Sequence, residues 1–159
     1  MSNFDDNEQI QRGGEIPDEL REILSRGMGD YLGLRYTEIT PDSVRAHWRI
    51  RPEMHQPAGL VHGGVYCAVV ESLASIAGMA WLGDRGHVVG VNNNTDFLRA
   101  AREGTLHAHA IPMHRGRLQQ LWLVNIVDEQ HRLIARGHVR LQNVADSANL
   151  AKPENNTTD

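Results

Sequence analysis

The chain has 159 residues, enough for one domain with a substantial core, and its 40% hydrophobic and 23% charged content is that of an ordinary globular protein. A net charge of −4 offers no basic face for nucleic acid. The single cysteine, Cys67, excludes an intrachain disulfide and fits a reducing compartment.

Residues 1–16 are polar and acidic and are expected to be a disordered tail. They lack a basic stretch followed by an apolar one, so no secretory signal is expected, and the cytoplasm is the expected location. The folded domain is expected to span 17–144. Pro17 to Gly27 predicts a short amphipathic helix, with Leu20, Ile23 and Leu24 as its apolar stripe. Leu32–Ile39 and Ser43–Ile50 predict two strands joined by a Pro41-Asp42 turn. In the second, Val44, Ala46, Trp48 and Ile50 alternate with Arg45, His47 and Arg49. A loop over 51–62 carries Pro52, Pro57 and Gly59. A long helix then begins at Gly63-Gly64 and ends near Gly83. Four more strands are predicted over Val88–Leu98, Thr105–Met113, Leu118–Val127 and Leu133–Asn143, arranged as a meander. Residues 145–159 predict a second disordered tail. This order implies an α+β architecture, an antiparallel sheet wrapped around one long central helix.

That helix holds the first chemical signal. Val65–Leu82 approaches membrane-spanning length, but Glu71 sits near its middle, the segment is rich in Ala, Gly and Ser, and it lacks a basic flank. A buried core helix fits better, and no membrane partner is expected. A carboxylate inside such a helix is costly unless paired or used. Its neighbours at helical spacing are small: Cys67, Ala68, Ala74, Ser75, and further out Gly64 and Gly78. Such a stripe either leaves room for a ligand or lets the sheet pack close. At the helix start, Gly63 and Gly64 present N–H groups without helical partners to developing negative charge. Gly63 and Glu71 are eight residues apart, about 12 Å along one helix. One carbonyl group can use both only if a second copy of the chain sets the helices side by side.

The run His55-Gln56-Pro57-Ala58-Gly59-Leu60-Val61-His62-Gly63-Gly64, with Glu71 nine residues after His62 and Ser75 four later, resembles the hotdog-fold thioesterases of the PaaI/4-hydroxybenzoyl-CoA thioesterase group. Asp96-Phe97-Leu98-Arg99, Gly104-Thr105-Leu106 and Leu133-Ile134-Ala135-Arg136-Gly137 extend the resemblance over about 30–144. It implies a hotdog fold and hydrolysis of acyl-CoA thioesters. It implies that Gly63 donates its N–H to the thioester oxygen and that Glu71 of a partner chain is nucleophile or general base. Gln56 stands in the place of an amide near the thioester, supported by His62, and Ser75 in that of a hydroxyl positioning water or the carboxylate. It further implies a dimer or a tetramer built from dimers, with no metal and no cofactor beyond the CoA of the substrate. Arg99, Arg102, Arg115 and Arg117, at strand ends and turns, are candidates for the CoA phosphates. Asn94, within Asn92-Asn93-Asn94, is a candidate for the acyl pocket, as is Gly64 for the substrate. Aryl or hydroxyaryl acyl groups are one expectation, because Ala68, Ala74 and Gly78 would admit a flat ring.

Other chemistries fit less well. His107, His109 and His114 lack further ligands at metal-binding spacing. Cys67, among Val and Ala, lacks the setting of a reactive thiol. No G-x-S-x-G is present. The rival readings are a non-catalytic acyl-CoA-binding protein and a hotdog hydratase or dehydratase using His62 and Glu71.

Overall fold

The computed structural model describes Ile16 and residues 18–145. The tails expected over 1–16 and 145–159 lie outside that range, apart from Ile16 and Ala145. The first helix, α1 (Asp18–Leu24), is shorter than predicted, and a second short helix, α2 (Gly27–Tyr31), follows it. The turn between them runs through Gly27 at φ +71°, a conformation that glycine adopts without strain. Two glycines in five residues give GMGDY little helical propensity, which is why α2 escapes a sequence reading. Ile23, a member of the apolar stripe read from the sequence, is 62% exposed, so that stripe is not part of the core.

Six strands follow: β1 (Arg35–Ile39), β2 (Val44–Arg49), β3 (His87–Phe97), β4 (Thr105–Arg115), β5 (Gln119–Val127) and β6 (Leu133–Val144). The long helix α3 (Gly63–Leu82) lies between β2 and β3 in the chain. All pairings are antiparallel, in the order β1-β2-β4-β5-β6-β3. The expected meander is therefore only partly formed. β4, β5 and β6 are consecutive neighbours, but β3 crosses to the far edge and pairs with β6 rather than β4. Hydrophobic alternation reports which face of a strand is buried and says little about which strand lies beside it.

The helix touches every strand of the sheet, the arrangement of a hotdog fold. Its sheet-facing side chains, Val69, Val70, Leu73, Ala74 and Ala77, are fully buried. They meet Val44, Trp48, Ala110, Trp122, Val124, Ile126, Val139 and Leu141 from the inner faces of the strands in one core. A buried leucine or isoleucine in such a core contributes about 1.5–3 kcal/mol. By composition and length, Gly63–Arg85 would pass for a membrane span, yet Tyr66, Val69, Val70, Leu73, Ala74, Ala77, Gly78 and Leu82 are buried within the protein. At Gly78, a Cβ would overlap Leu141 Cδ1 and lie 3.1 Å from the Gln120 side chain. The small residues in this half of the helix thus let the sheet approach. Ala74 and Gly78 leave no slot for a flat ring.

Among the described residues, Gln120 is the one fully buried side chain of the polar and charged types. Its Oε1 accepts from Trp122 Nε1 at 2.8 Å, and its Nε2 donates to Asn143 Oδ1 at 2.7 Å and to Gly78 O at 3.4 Å. The amide is satisfied on both sides, as burial requires.

Candidate active site

His62 caps α3: its Nδ1 accepts from the Gly64 N–H at 2.9 Å. The His62 N–H in turn donates to Met54 O at 2.8 Å, and Val61 N–H donates to Ala101 O at 2.9 Å, which fixes the chain's entry into the helix. Of the two glycine amides proposed from sequence, the Gly64 N–H is therefore occupied. The Gly63 N–H meets no acceptor among the described residues, so it is the donor left at the positive end of the helix. Gly63 also needs its missing side chain, because a Cβ there would lie 2.5 Å from Phe97 Cε2 at the end of β3. Tyr66, one turn on, stacks at a tilt on the same Phe97 with ring centroids 5.8 Å apart. Its hydroxyl is buried without a partner among the described residues, and burial pushes its pKa up to about 12.

Glu71 lies two turns further along α3 and is half-buried. Its Oε2 accepts from Asn93 Nδ2 at 3.1 Å, and the same nitrogen donates to Cys67 O at 3.0 Å. Thr95 Oγ1 donates to Asn93 Oδ1 at 2.7 Å. Glu71 Oε1 faces Gly90 so closely that a Cβ there would overlap it. A bulge between Gly90 and Asn92 shifts the register of β3 against β6. With one extra residue in the strand, Gly90 and Asn93 both face the helix, although their spacing of three would put them on opposite faces of a regular strand.

The remaining sequence candidates fall around these two points. Asn94 pairs across the sheet with His138 and is exposed on the side of β3 away from Glu71, whereas its neighbour Asn93 makes the contact. Gly90 and Thr95 carry no motif of their own, whereas Asn93 stands in the Asn92-Asn93-Asn94 run and Phe97 in Asp96-Phe97-Leu98-Arg99. Counting back in twos from Phe97, however, selects Thr95 and Asn93. The Gln56 backbone closes the loop before the helix, with N–H to Leu60 O at 2.8 Å and O from Gly59 N–H at 2.9 Å, and its side-chain amide has no partner among the described residues. Ser75, one turn after Glu71, likewise has an uncommitted hydroxyl among the described residues, while Ser72 donates back to Ala68 O at 2.8 Å. Cys67 is half-buried beside Glu71 and contributes its carbonyl, not its thiol, to the bonding.

The arginines divide between the two ends of α3. Arg102 reaches Gly59 O at 3.2 Å in the loop before α3, and Arg99, two residues after Phe97, is exposed with its N–H donating to Ile134 O at 3.1 Å. Arg115 is engaged elsewhere, bound to Asp42 at 2.7 Å and Pro41 O at 2.8 Å, with its guanidinium 5.6 Å from the Trp81 ring near the far end of the helix. Arg117 lies on the neighbouring β4–β5 turn. About 27 Å of helix separates that end from Gly63.

With this geometry in view, the relationship to known proteins is direct. Residues 58–135 match the thioesterase superfamily. Rv1847 of Mycobacterium tuberculosis, which carries an esterase name, is 57% identical over 116 residues, covering 71% of this chain and 83% of its own. This chain belongs to the thioesterase superfamily. The solved structure of Rv1847 superposes with a TM-score of 0.72 at 54% identity, over 78% of this chain and 97% of that one. The thioesterase HI1161 of Haemophilus influenzae gives a TM-score of 0.77 at 28% identity, over 84% of this chain and 94% of its own. The PaaI protein of Escherichia coli shares the fold at 17% identity, with a TM-score of 0.71 over 79% and 90% of the two chains. The thioesterase superfamily member thus has the hotdog fold that its sequence resemblance implied, and its general chemistry is hydrolysis of a thioester.

Proposed function

We propose that this thioesterase superfamily member hydrolyses acyl-CoA thioesters at a site shared between two copies of the chain. The observation that carries the reading is the pairing of a Gly63 N–H at a helix start, open among the described residues, with a carboxylate, Glu71, that those residues anchor through one oxygen. The donor suits a tetrahedral oxyanion, for which one preorganised N–H is worth about 10²–10³ in rate. The carboxylate drives attack on the carbonyl, either directly or by taking a proton from water. The net reaction consumes one water, breaks the C–S bond and releases acid and CoA.

Within one chain the two groups stand about 12 Å apart. β3 pairs on one side only and leaves its other edge open beside Glu71. Antiparallel pairing of two β3 strands about a two-fold axis near Asn94 would set Phe97, which lies on Gly63, opposite Val91 of the second copy, close to its Glu71. Val91 and Phe97 are 51% and 55% exposed, apolar surface that such pairing would cover. Gln56 and Ser75, with free polar groups, would flank the thioester and its water. Arg99, exposed two residues after Phe97, would hold a CoA phosphate at the mouth.

The test is thiol release from a panel of aryl- and alkyl-CoA thioesters, with Glu71→Ala in parallel and the oligomeric state measured for both. A loss of about 10²-fold or more in kcat with an unchanged oligomer supports the reading. Equal turnover in the variant, or none from the parent on any thioester, would sink it in favour of acyl-CoA binding without catalysis.

A further inference from the structure

We infer that Asn93 and Thr95 are positioning residues that orient the Glu71 carboxylate and decide which of its oxygens reacts; this rests on the role of Glu71 proposed above. The Asn93 amide is committed at every atom. Its nitrogen donates to Glu71 Oε2 at 3.1 Å and to Cys67 O at 3.0 Å, and its oxygen accepts from Thr95 Oγ1 at 2.7 Å. Both amide hydrogens are therefore spent on oxygen acceptors of α3. Turned over, the amide would set its own oxygen against a carboxylate and a carbonyl. Those two acceptors are what oppose the flip, while the Thr95 hydroxyl, by donating to Oδ1, holds the amide in its plane. Thr95 never touches Glu71, yet it steadies the amide that does.

The arrangement distinguishes the two carboxylate oxygens. Oε2 is held by the amide. Oε1 rests over Gly90 and has no hydrogen-bond partner among the described residues. Oε1 is the oxygen left to meet a carbonyl carbon or a water proton. The strand is built to allow this. The bulge after Gly90 brings Gly90 and Asn93 to the same face, one against each oxygen. On β6, the cross-strand partner of Thr95 is Gly137, where a Cβ would lie 2.8 Å from Thr95 Oγ1. A larger residue there would press on Val70 as well as on the hydroxyl that steadies the amide.

The experiment uses four variants, Thr95→Val, Thr95→Ser, Asn93→Leu and Glu71→Gln, assayed for kcat and KM by thiol release and for thermal melting. Thr95→Val keeps the shape and removes the donor, so kcat is expected to fall about tenfold, the worth of one hydrogen bond, with KM unchanged. Thr95→Ser restores the hydroxyl and is expected to stay within about twofold of the parent. Asn93→Leu is expected to cost about 10²-fold in kcat, since its bond to a charged acceptor is the stronger one. The inference is overturned if Thr95→Val keeps full kcat while Glu71→Gln is inactive. It is overturned equally if Val and Ser at position 95 lose the same activity, which is the mark of packing alone. If Glu71→Gln itself keeps full turnover, the reading of Glu71 falls and takes the positioning roles with it.

Discussion

The contact between Gly90 and Glu71 allows catalysis and stability to be separated by one methyl group. In Gly90→Ala the new Cβ would lie 3.1 Å from Glu71 Cδ and nearer still to Oε1. Ordinary contact begins near 3.5 Å, so the carboxylate oxygen must retreat by about 1 Å or more. The atom that gives way is the end of a flexible side chain, and the backbone at Gly90 is not in the left-handed region, so alanine can be accommodated. Replacing glycine at such a position stabilises by about 0.4–1 kcal/mol through the unfolded chain. Weakening the Asn93–Glu71 bond costs about 1–2 kcal/mol in the opposite direction. The net change is about 1 kcal/mol, or about 2–4 °C in Tm for a chain of this size. Activity has no such compensation. A displacement of about 1 Å at a reacting group costs about 10²-fold. Thiol-release kinetics and a melting curve on the same preparation make the comparison. A kcat within twofold of the parent would refute the claim that Glu71 works from the position seen here. A fall in Tm beyond about 10 °C would show that Gly90 serves packing instead.

Three further outcomes follow from the geometry. His62→Ala removes the acceptor of the Gly64 N–H and should cost about 1 kcal/mol in urea unfolding, the usual worth of a helix cap. Gln120→Leu leaves the Trp122 indole N–H and the Asn143 side chain without their buried partner and should cost about 2 kcal/mol or more in the same measurement. Burial, with repulsion from Arg45 and against an opposing pull from Glu38, pushes the His109 pKa from 6.5 down to about 4. The unfolded chain then takes up this proton first. The His109 contribution to stability should be complete above pH 6.5 and decline as pH falls towards 4. In His109→Gln that part of the stability–pH curve should flatten; an unchanged slope would assign it to other groups.

Much of this architecture is legible in the sequence, for reasons that can be named. Alternation in Val44–Ile50 gives β2 its buried face because each side chain there meets either core or solvent. The glycine pair, the apolar run and Gly83 bound α3 to within a residue. Glu71 stands out as the only carboxylate in that run. What escapes is whatever depends on partners distant in the chain. The position of β3 at the sheet edge is set by its pairing with β6, and no residue of β3 encodes that alone. The small residues around Glu71 look alike in sequence. In space, Ala74 and Gly78 belong to the core and Cys67 and Ser75 to the half-buried flank of the helix. Asn93 and Asn94 are indistinguishable as letters, and the bulge that determines which one reaches Glu71 is a property of the paired strand.

That bulge also bears on how relatives should be aligned. A β-strand whose phase is corrected by one extra residue keeps its downstream faces if that residue is lost. A relative lacking the equivalent of Val91 would still turn its counterparts of Asn93, Thr95 and Phe97 towards the helix, but along a straighter strand with a different approach to the carboxylate. A single-position gap in β3, easily dismissed as noise in a comparison of sequences, would therefore mark where the family changes how it holds its acid.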